Sequence, residues 1–276
     1  MQPASEADAL EVKLVLEAIY ERYGYDFRDY APDSIARRVK AAAAKIGARH
    51  LAELQHRLIH EVDVMSATLE LLTVRVTEMF RDPHFYRAVR QELVPSLRTY
   101  PQLKVWHAGC ASGEEVYATA ILLSEAGLYE RSQIYATDVS GVALEQAREG
   151  VYPEASFAGF AQNYAESGGA AVFADYWSRA YDRIAIREDL RQNVHFFQHD
   201  LVSDYALGEM QVIFCRNVLI YFGERLRERV FSMFSDALHV GGFLCLGSSE
   251  ALPASRRSTF EEFSAVERIY RKRGAA

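Results

Sequence analysis

Along the first hundred residues, apolar positions recur every three or four places, the period of a helix with one buried face. Over Ala9–Tyr23 the residues Leu10, Val12, Leu14, Val15, Ala18 and Ile19 keep that spacing. Pro32 and Asp33 open a second helix, with Ile35, Val39, Ala42 and Ile46 on one face and Gly47 as its stop. Leu51–Ile59 and Met65–Leu72 continue the period. Asp82-Pro83 pairs an N-cap carboxylate with proline at the first helical position, which predicts a helix reaching about Leu97.

From Leu103 the texture changes to short apolar runs that alternate with helical ones. Lys104–Ala108, Gln133–Asp138, Asn193–Phe197, Gln211–Cys215 and Phe243–Gly247 have strand character. Glu115–Glu125, Val142–Arg148 and Arg225–His239 have helical character. Such alternation implies parallel strands joined by right-handed crossovers, a doubly wound α/β sheet. Tyr152–Ile186 breaks the rhythm and is too long for a loop, so it predicts an inserted subdomain; Val266–Lys272 predicts a last, antiparallel strand. The expected organisation is a helical domain over 1–75, a linking segment and helix over 76–100, and an α/β domain over 101–276 with its insert at about 152–186.

Composition narrows the class. Half of the 276 residues are hydrophobic, enough to bury a substantial core. Lys and Arg total 31 against 38 Asp and Glu, a net charge of −7, which disfavours nucleic acid as a partner. The 3 cysteines are odd in number and far apart, so no disulfide framework is expected, as suits a reducing cytosol. The opening MQPASEADALEVK has acids where a signal peptide would have bases, and no apolar run approaches the roughly 20 residues of a membrane span. A cytoplasmic protein without direct membrane insertion is the expectation.

In a doubly wound sheet the ligand sits beyond the carboxyl ends of the strands. The first predicted strand is followed by Gly109-Cys110-Ala111-Ser112-Gly113-Glu114-Glu115. A phosphate loop would need Gly-Lys-Ser/Thr where Gly113-Glu114-Glu115 stands, and a dinucleotide loop a middle glycine where Ala111 stands. A glycine loop ending in acids suits a cationic ligand without pyrophosphate, and S-adenosylmethionine has that profile; a plain strand–helix turn is the simpler alternative. Asp138 closes the second strand where a ribose-binding acid belongs, though Asp138 or Ser140 could equally cap the next helix. His199-Asp200-Leu201 and Cys215-Arg216-Asn217 follow the third and fourth strands of that series.

These segments carry a family resemblance. WHAGCASGEEVY (Trp106–Tyr117) resembles the glycine motif of the CheR-type chemotaxis receptor methyltransferases, and VTEMFRDP (Val76–Pro83) their Thr-x-x-Phe-Arg segment. CRNVLIYF (Cys215–Phe222) and GGFLCLGSSE (Gly241–Glu250) are similar to two later motifs. The resemblance implies a Rossmann-like methyltransferase domain with a small antiparallel β-insert, preceded by an all-α domain. It implies transfer of a methyl group from S-adenosylmethionine to glutamates in the cytoplasmic helical region of a chemoreceptor, leaving S-adenosylhomocysteine. By motif position Thr77, Arg81, Gly109, one or both of Glu114 and Glu115, and Asp138 would hold the cofactor. Asp200, Leu201, Arg216 and Asn217 would close the adenine side, and Arg81 and Tyr221 would flank the reacting centre. The chain departs from the family pattern at Arg75, Val116 and Asp200.

The implied chemistry is physically coherent. A glutamate with a pKa near ~4.3 is already a nucleophile at neutral pH, so no general base is required. What the reaction demands is positioning. Arg81 can grip a carboxylate through two N–H groups, and Tyr221 can orient one through its hydroxyl. His195 and His199 lack a third ligand nearby, so no metal is expected; Met65, Met79 and Cys110 are expected as core. Arg37, Arg38, Lys40 and Lys45 fall opposite Ile35, Val39 and Ile46 on the second helix, a basic face suited to an acidic receptor helix or simply to water. The rival readings are a methyltransferase with another protein or small-molecule acceptor, and a non-catalytic scaffold that binds the cofactor.

Overall fold

The computed structural model describes residues 6–72 and 77–274, with residues 6, 62 and 66 described by their backbone alone. Met1–Arg75, Asp200–Asp204 and Leu219–Val230 make one unit, and Val76–His199, Tyr205–Val218 and Phe231–Ala276 the other.

Among the described residues before residue 75, the first unit contains the helices α1 (Glu6–Tyr23), α2 (Pro32–Ile46), α3 (Leu51–His60) and α4 (Val62–Leu72). Proline at the start of α2 sacrifices no hydrogen bond there, and Gly47, at φ 75°, ends the helix in the left-handed turn that glycine takes without strain. The apolar stripes meet in one core, in which Val15, Ile19, Val39, Leu54 and Leu58 are fully buried. The later segment is stitched to it. The Ala31 N–H bonds the Tyr221 carbonyl at 2.9 Å, and the Tyr30 and Phe222 rings lie 4.9 Å apart.

The second unit begins with α5 (Pro83–Ala88), a π-helical turn over Val89–Leu93, and α6 (Val94–Leu97). The expected single helix is therefore interrupted: Pro95 has no N–H to give, and the turn before it widens. There follow β1 (Leu103–Ala108), α7 (Glu114–Glu125), β2 (Ser132–Asp138) and α8 (Gly141–Glu149). The insert contains β3 (Val151–Pro153), α9 (Phe157–Glu166), β4 (Trp177–Ala180) and β5 (Arg183–Ile186). Its three strands pair antiparallel in the order β3-β5-β4. The helix α9 goes beyond the expected small β-insert; its Phe160 and Tyr164, one turn apart, are buried among the insert's aromatic side chains.

The main sheet is completed by β6 (Val194–Gln198), β7 (Met210–Cys215), α10 (Glu224–Ala237), β8 (Leu238–Leu246), β9 (Phe260–Ser264) and β10 (Ile269–Lys272). Its order is β6-β2-β1-β7-β8-β10-β9, with β10 antiparallel to both neighbours and the first five strands parallel. Strand β8 begins five residues before the expected Phe243, because Leu238 already pairs with Met210 across a register shift. The chain winds outward from β1 to β2 and β6, then returns to β7 on the other side. The crevice at this reversal, beyond the carboxyl ends of β1 and β7, is where ligands bind in such sheets. No described helix is long and apolar enough to cross a membrane.

Inside the sheet, the indole N–H of the fully buried Trp106 bonds the Thr137 hydroxyl at 2.9 Å and ties β1 to β2. Thr137→Val keeps the shape but strands that N–H, at a cost of about 1–3 kcal/mol. Urea unfolding should show a lower midpoint with an unchanged slope; an unchanged midpoint would mean the bond contributes nothing.

Candidate active site

The loop between β1 and α7 turns through three left-handed residues: Gly109 (φ 80°), Ala111 (φ 47°) and Gly113 (φ 89°). A Cβ at Gly109 would stand 2.5 Å from Val218 Cγ2, so conformation and space both demand glycine there. The N–H groups of Gly109 and Cys110 both reach the Thr137 carbonyl at 2.8 Å. Ala111, where a dinucleotide loop would carry glycine, is held in its uncommon turn by Asp138, whose Oδ2 accepts the Ala111 N–H at 2.9 Å. Asp138 Oδ1 accepts the Ser140 N–H at 2.9 Å, and it is Ser140 whose side chain caps α8. Asp138 thus braces the loop and the turn after β2 together.

The paired glutamates diverge. Glu115 meets His107 Nδ1 at 3.1 Å and Arg216 at 2.9 Å. Burial pushes its pKa up, but the His107 hydrogen bond and the Arg216 charge outweigh it, and the carboxyl is held below its ordinary range. Glu114, 6% exposed, takes the Ser112 hydroxyl on its two oxygens at 3.0 and 2.8 Å. The Tyr152 hydroxyl of the insert bonds the Ser112 carbonyl at 2.9 Å. Here burial prevails over the hydrogen bonds, and the Glu114 pKa is pushed up to about 7.

Arg216 joins the loop to the segment before α5. Its side chain is 2% exposed, and it donates to Asp82 at 2.7 Å as well as to Glu115. The guanidinium lies 3.9 Å over the Phe85 ring. Contrary to the expectation that it caps α5, Asp82 makes no side-chain cap and sits in the left-handed region at φ 57°. The buried cation draws its carboxylate away from the helix start. Phe80, on the other side of Arg81, is also left-handed at φ 51°. Arg81 and Thr77 are half-buried. Arg75, one of the departures from the family pattern, lies outside the described residues.

Beyond β7, Asn217 is left-handed at φ 61° and donates its N–H to Glu250 at 2.9 Å. Glu250, buried, also accepts the N–H groups of Val218 at 2.9 Å and Gly247 at 2.7 Å. The sequence marks Glu250 only as the end of a motif. A single acid closing an apolar strand and glycine turn is the signal that could have pointed to it.

The remaining residues belong to the helical unit. Asp200 accepts the Val202 N–H at 2.9 Å and so folds its own turn, and Leu201 is buried. Tyr221 is half-buried, with the Arg38 guanidinium 4.1 Å from its ring. The expected basic face is therefore smaller by one residue. Arg38 is buried and donates to the Leu72 carbonyl, because it turns inward over Tyr221, whereas Arg37, Lys40 and Lys45 are exposed. Lys40 pairs with Asp8 at 2.6 Å.

The other candidates have local partners. His195 bonds the Gln133 side chain at 2.6 Å, and His199 the Tyr205 carbonyl at 2.8 Å. Met65, Met79 and Cys110 are buried, and burial raises the Cys110 thiol well above its ordinary pKa.

The donor set fits S-adenosylmethionine. Carboxylates and loop amides surround the strand ends, and Arg216, the cation that Glu115 meets, is itself bound by two acids. An ammonium group, a sulfonium and a ribose diol match such a set, whereas a polyphosphate would be repelled.

Comparison with known proteins agrees. A family described as "CheR methyltransferase, all-alpha domain" matches residues 10–73, and one described as "CheR methyltransferase, SAM binding domain" matches residues 75–269. The chain is 44% identical over 264 residues to "Putative methyltransferase Cher3" of Pseudomonas putida, covering 95% of this chain and 97% of that protein. It is 31% identical over 193 residues to a "Chemotaxis protein methyltransferase" of Vibrio parahaemolyticus, covering 67% and 68%. To "Chemotaxis protein methyltransferase Cher2" of Pseudomonas putida it is 29% identical over 238 residues, covering 79% and 82%.

The raised Glu114 pKa makes stability depend on pH. Between its unfolded value of 4.5 and its folded value of about 7, the folded state holds the extra proton, so stability falls as pH rises through that window. The loss is complete above it and amounts to on the order of 3 kcal/mol. Glu114→Gln should remove it. The advantage of the variant over the parent in urea unfolding should grow by that amount from pH 4.5 to pH 8. A constant difference would mean that Glu114 titrates normally in the folded protein.

Proposed function

The chain belongs to the CheR methyltransferase family, and from that membership we propose that it methylates glutamate side chains of a chemoreceptor. It is an S-adenosylmethionine-dependent methyltransferase of the chemotaxis type. The observation that carries the finer reading is the match of both family domains in order, over residues 10–73 and 75–269, with relatives named chemotaxis protein methyltransferase.

S-adenosylmethionine supplies an activated methyl group; the protein's residues hold and aim. In this reading the Gly109 loop, Thr77, Asp138 and Asn217 bind the cofactor, and Glu115 faces its cationic end. Glu114 contributes there only when the cation compensates its burial. Asp200 and Leu201 serve the adenine side. Arg81 and Tyr221 are the catalytic residues. Arg81 grips a carboxylate, and the Tyr221 hydroxyl orients the acceptor oxygen. The acceptor glutamate is ionised at neutral pH, so the reaction needs alignment rather than a base. On α2, the exposed Arg37, Lys40 and Lys45 suit the acidic cytoplasmic helices of a receptor.

The reading is tested by incubation with radiolabelled cofactor and a receptor cytoplasmic fragment, followed by alkaline release of volatile methanol. Label that enters the fragment but resists mild alkali would indicate another acceptor, since a methyl ester hydrolyses readily. No incorporation would leave this fragment without a role as substrate.

Tyr221→Phe separates chemistry from binding. The ring persists beneath Arg38 and only the hydroxyl is lost. A contact that matters mainly in the transition state should lower kcat, on the order of 10²–10³-fold at comparable preorganised sites, and leave affinity for S-adenosylhomocysteine unchanged. Turnover at the parent rate would reduce Tyr221 to packing.

A further inference from the structure

Arg81 stands between two left-handed residues that are not glycine, Phe80 at φ 51° and Asp82 at φ 57°. Such residues avoid this region, and closely spaced exceptions persist only where the surroundings over-determine them. Phe80 is held by burial. Its ring is fully buried, 5.0 Å from Tyr86 and 5.3 Å from Tyr164. Asp82 is held by charge, through the 2.7 Å bond from Arg216. The Arg216 guanidinium also lies 3.5 Å from the Arg81 carbonyl, so it touches both Arg81 and the residue after it.

We propose that Arg216 is a positioning residue for Arg81. It fixes the Phe80–Asp82 backbone through Asp82 and sets that backbone against Glu115. Three features support this role. Its side chain is 2% exposed, its two terminal nitrogens are each engaged by a carboxylate, and its face is covered by Phe85 at 3.9 Å. A forked, planar cation can hold two acids on diverging lines while stacking on a ring, which a lysine cannot. The consequence is that Arg81 depends on a strut that starts at the end of β7, 135 residues along the chain. The importance of the strut rests on reading Arg81 as a catalytic residue.

Amide hydrogen exchange tests the strut without any substrate. The Arg81 N–H bonds the Glu78 carbonyl at 3.4 Å and the Phe85 N–H the Asp82 carbonyl at 2.9 Å, so both amides report on this segment. In Arg216→Lys and in Asp82→Asn, exchange over residues 78–86 should quicken by about tenfold, the scale on which losing a charge-assisted bond opens a local segment. Asparagine tolerates the left-handed turn, so that variant removes charge and little else. Protection in β1, β2 and β8 should stay at the parent level, which a general loss of stability would not allow. Because the Arg216–Asp82 contact is lost in both single variants, the double variant should exchange no faster than the faster of them. Parent-like protection of 78–86 in either variant, or a double variant whose factor is the product of the two, would overturn the proposal. If Arg216→Lys fails to fold, Asp82→Asn on the half-buried loop decides alone. The kcat of Asp82→Asn addresses the catalytic reading separately. Faster exchange with unchanged kcat would keep the strut but overturn its role in positioning Arg81 for the reaction.

Discussion

A buried guanidinium bound by two carboxylates is the constraint on which the candidate site depends. Taking Arg216 out of water is costly, and that cost is offset only because Glu115 and Asp82 meet it at 2.9 and 2.7 Å while Phe85 covers its face. The three charges are therefore interdependent. Loss of either acid would leave a buried cation partly uncompensated, and loss of the cation would leave acids repelling each other near the strand ends. His107, fully buried and stacked 4.6 Å from Phe214, extends the cluster by fixing the other oxygen of Glu115. The cluster ties the end of β7 to the start of α7 and to the segment that carries Arg81.

Around this centre one device recurs. A residue at a strand end turns left-handed, and a carboxylate from another segment accepts its N–H. Asp138 does this for Ala111 and Glu250 for Asn217. Each turn brings backbone close to the crevice at the switch point, and each would be unfavourable by itself. Charge-assisted hydrogen bonds accepted by these buried or half-buried acids compensate the strain. The same acids give the strand ends a negative character. An acidic crevice suits a cationic cofactor, so local folding and ligand class follow from one set of residues.

The helical unit holds more than helices. Tyr221 lies in a stretch whose backbone bonds Ala31 and whose neighbour Phe222 packs on Tyr30, and the Arg38 cation rests over its ring. Tyr221 is thus folded with the helical unit rather than with the sheet. Arg38, which helical periodicity places among the exposed bases, belongs to this packing, and the outward charge of α2 is carried by Arg37, Lys40 and Lys45.

Periodicity determined the helical first part and the parallel alternation after Leu103, because local spacing records which side of an element is buried, and the length of the break in that rhythm marked the insert. The order of motifs was enough to identify the family, and the acids after the glycine loop pointed to a cationic cofactor. Partners were another matter. Nothing local distinguishes Asp82 as the counter-ion of Arg216 from Asp82 as a helix cap, or Glu115 in an ion pair from its neighbour Glu114 in a buried pocket that raises its pKa. Those outcomes are set by which segments the fold brings together, 134 residues apart in the case of Asp82 and Arg216. Arg38 turned inward for the same kind of reason, since an aromatic ring from residue 221 and a carbonyl from residue 72 receive it there. A helical wheel records spacing along one element. Long-range electrostatics and packing decided the rest, and they exist only once the chain has folded.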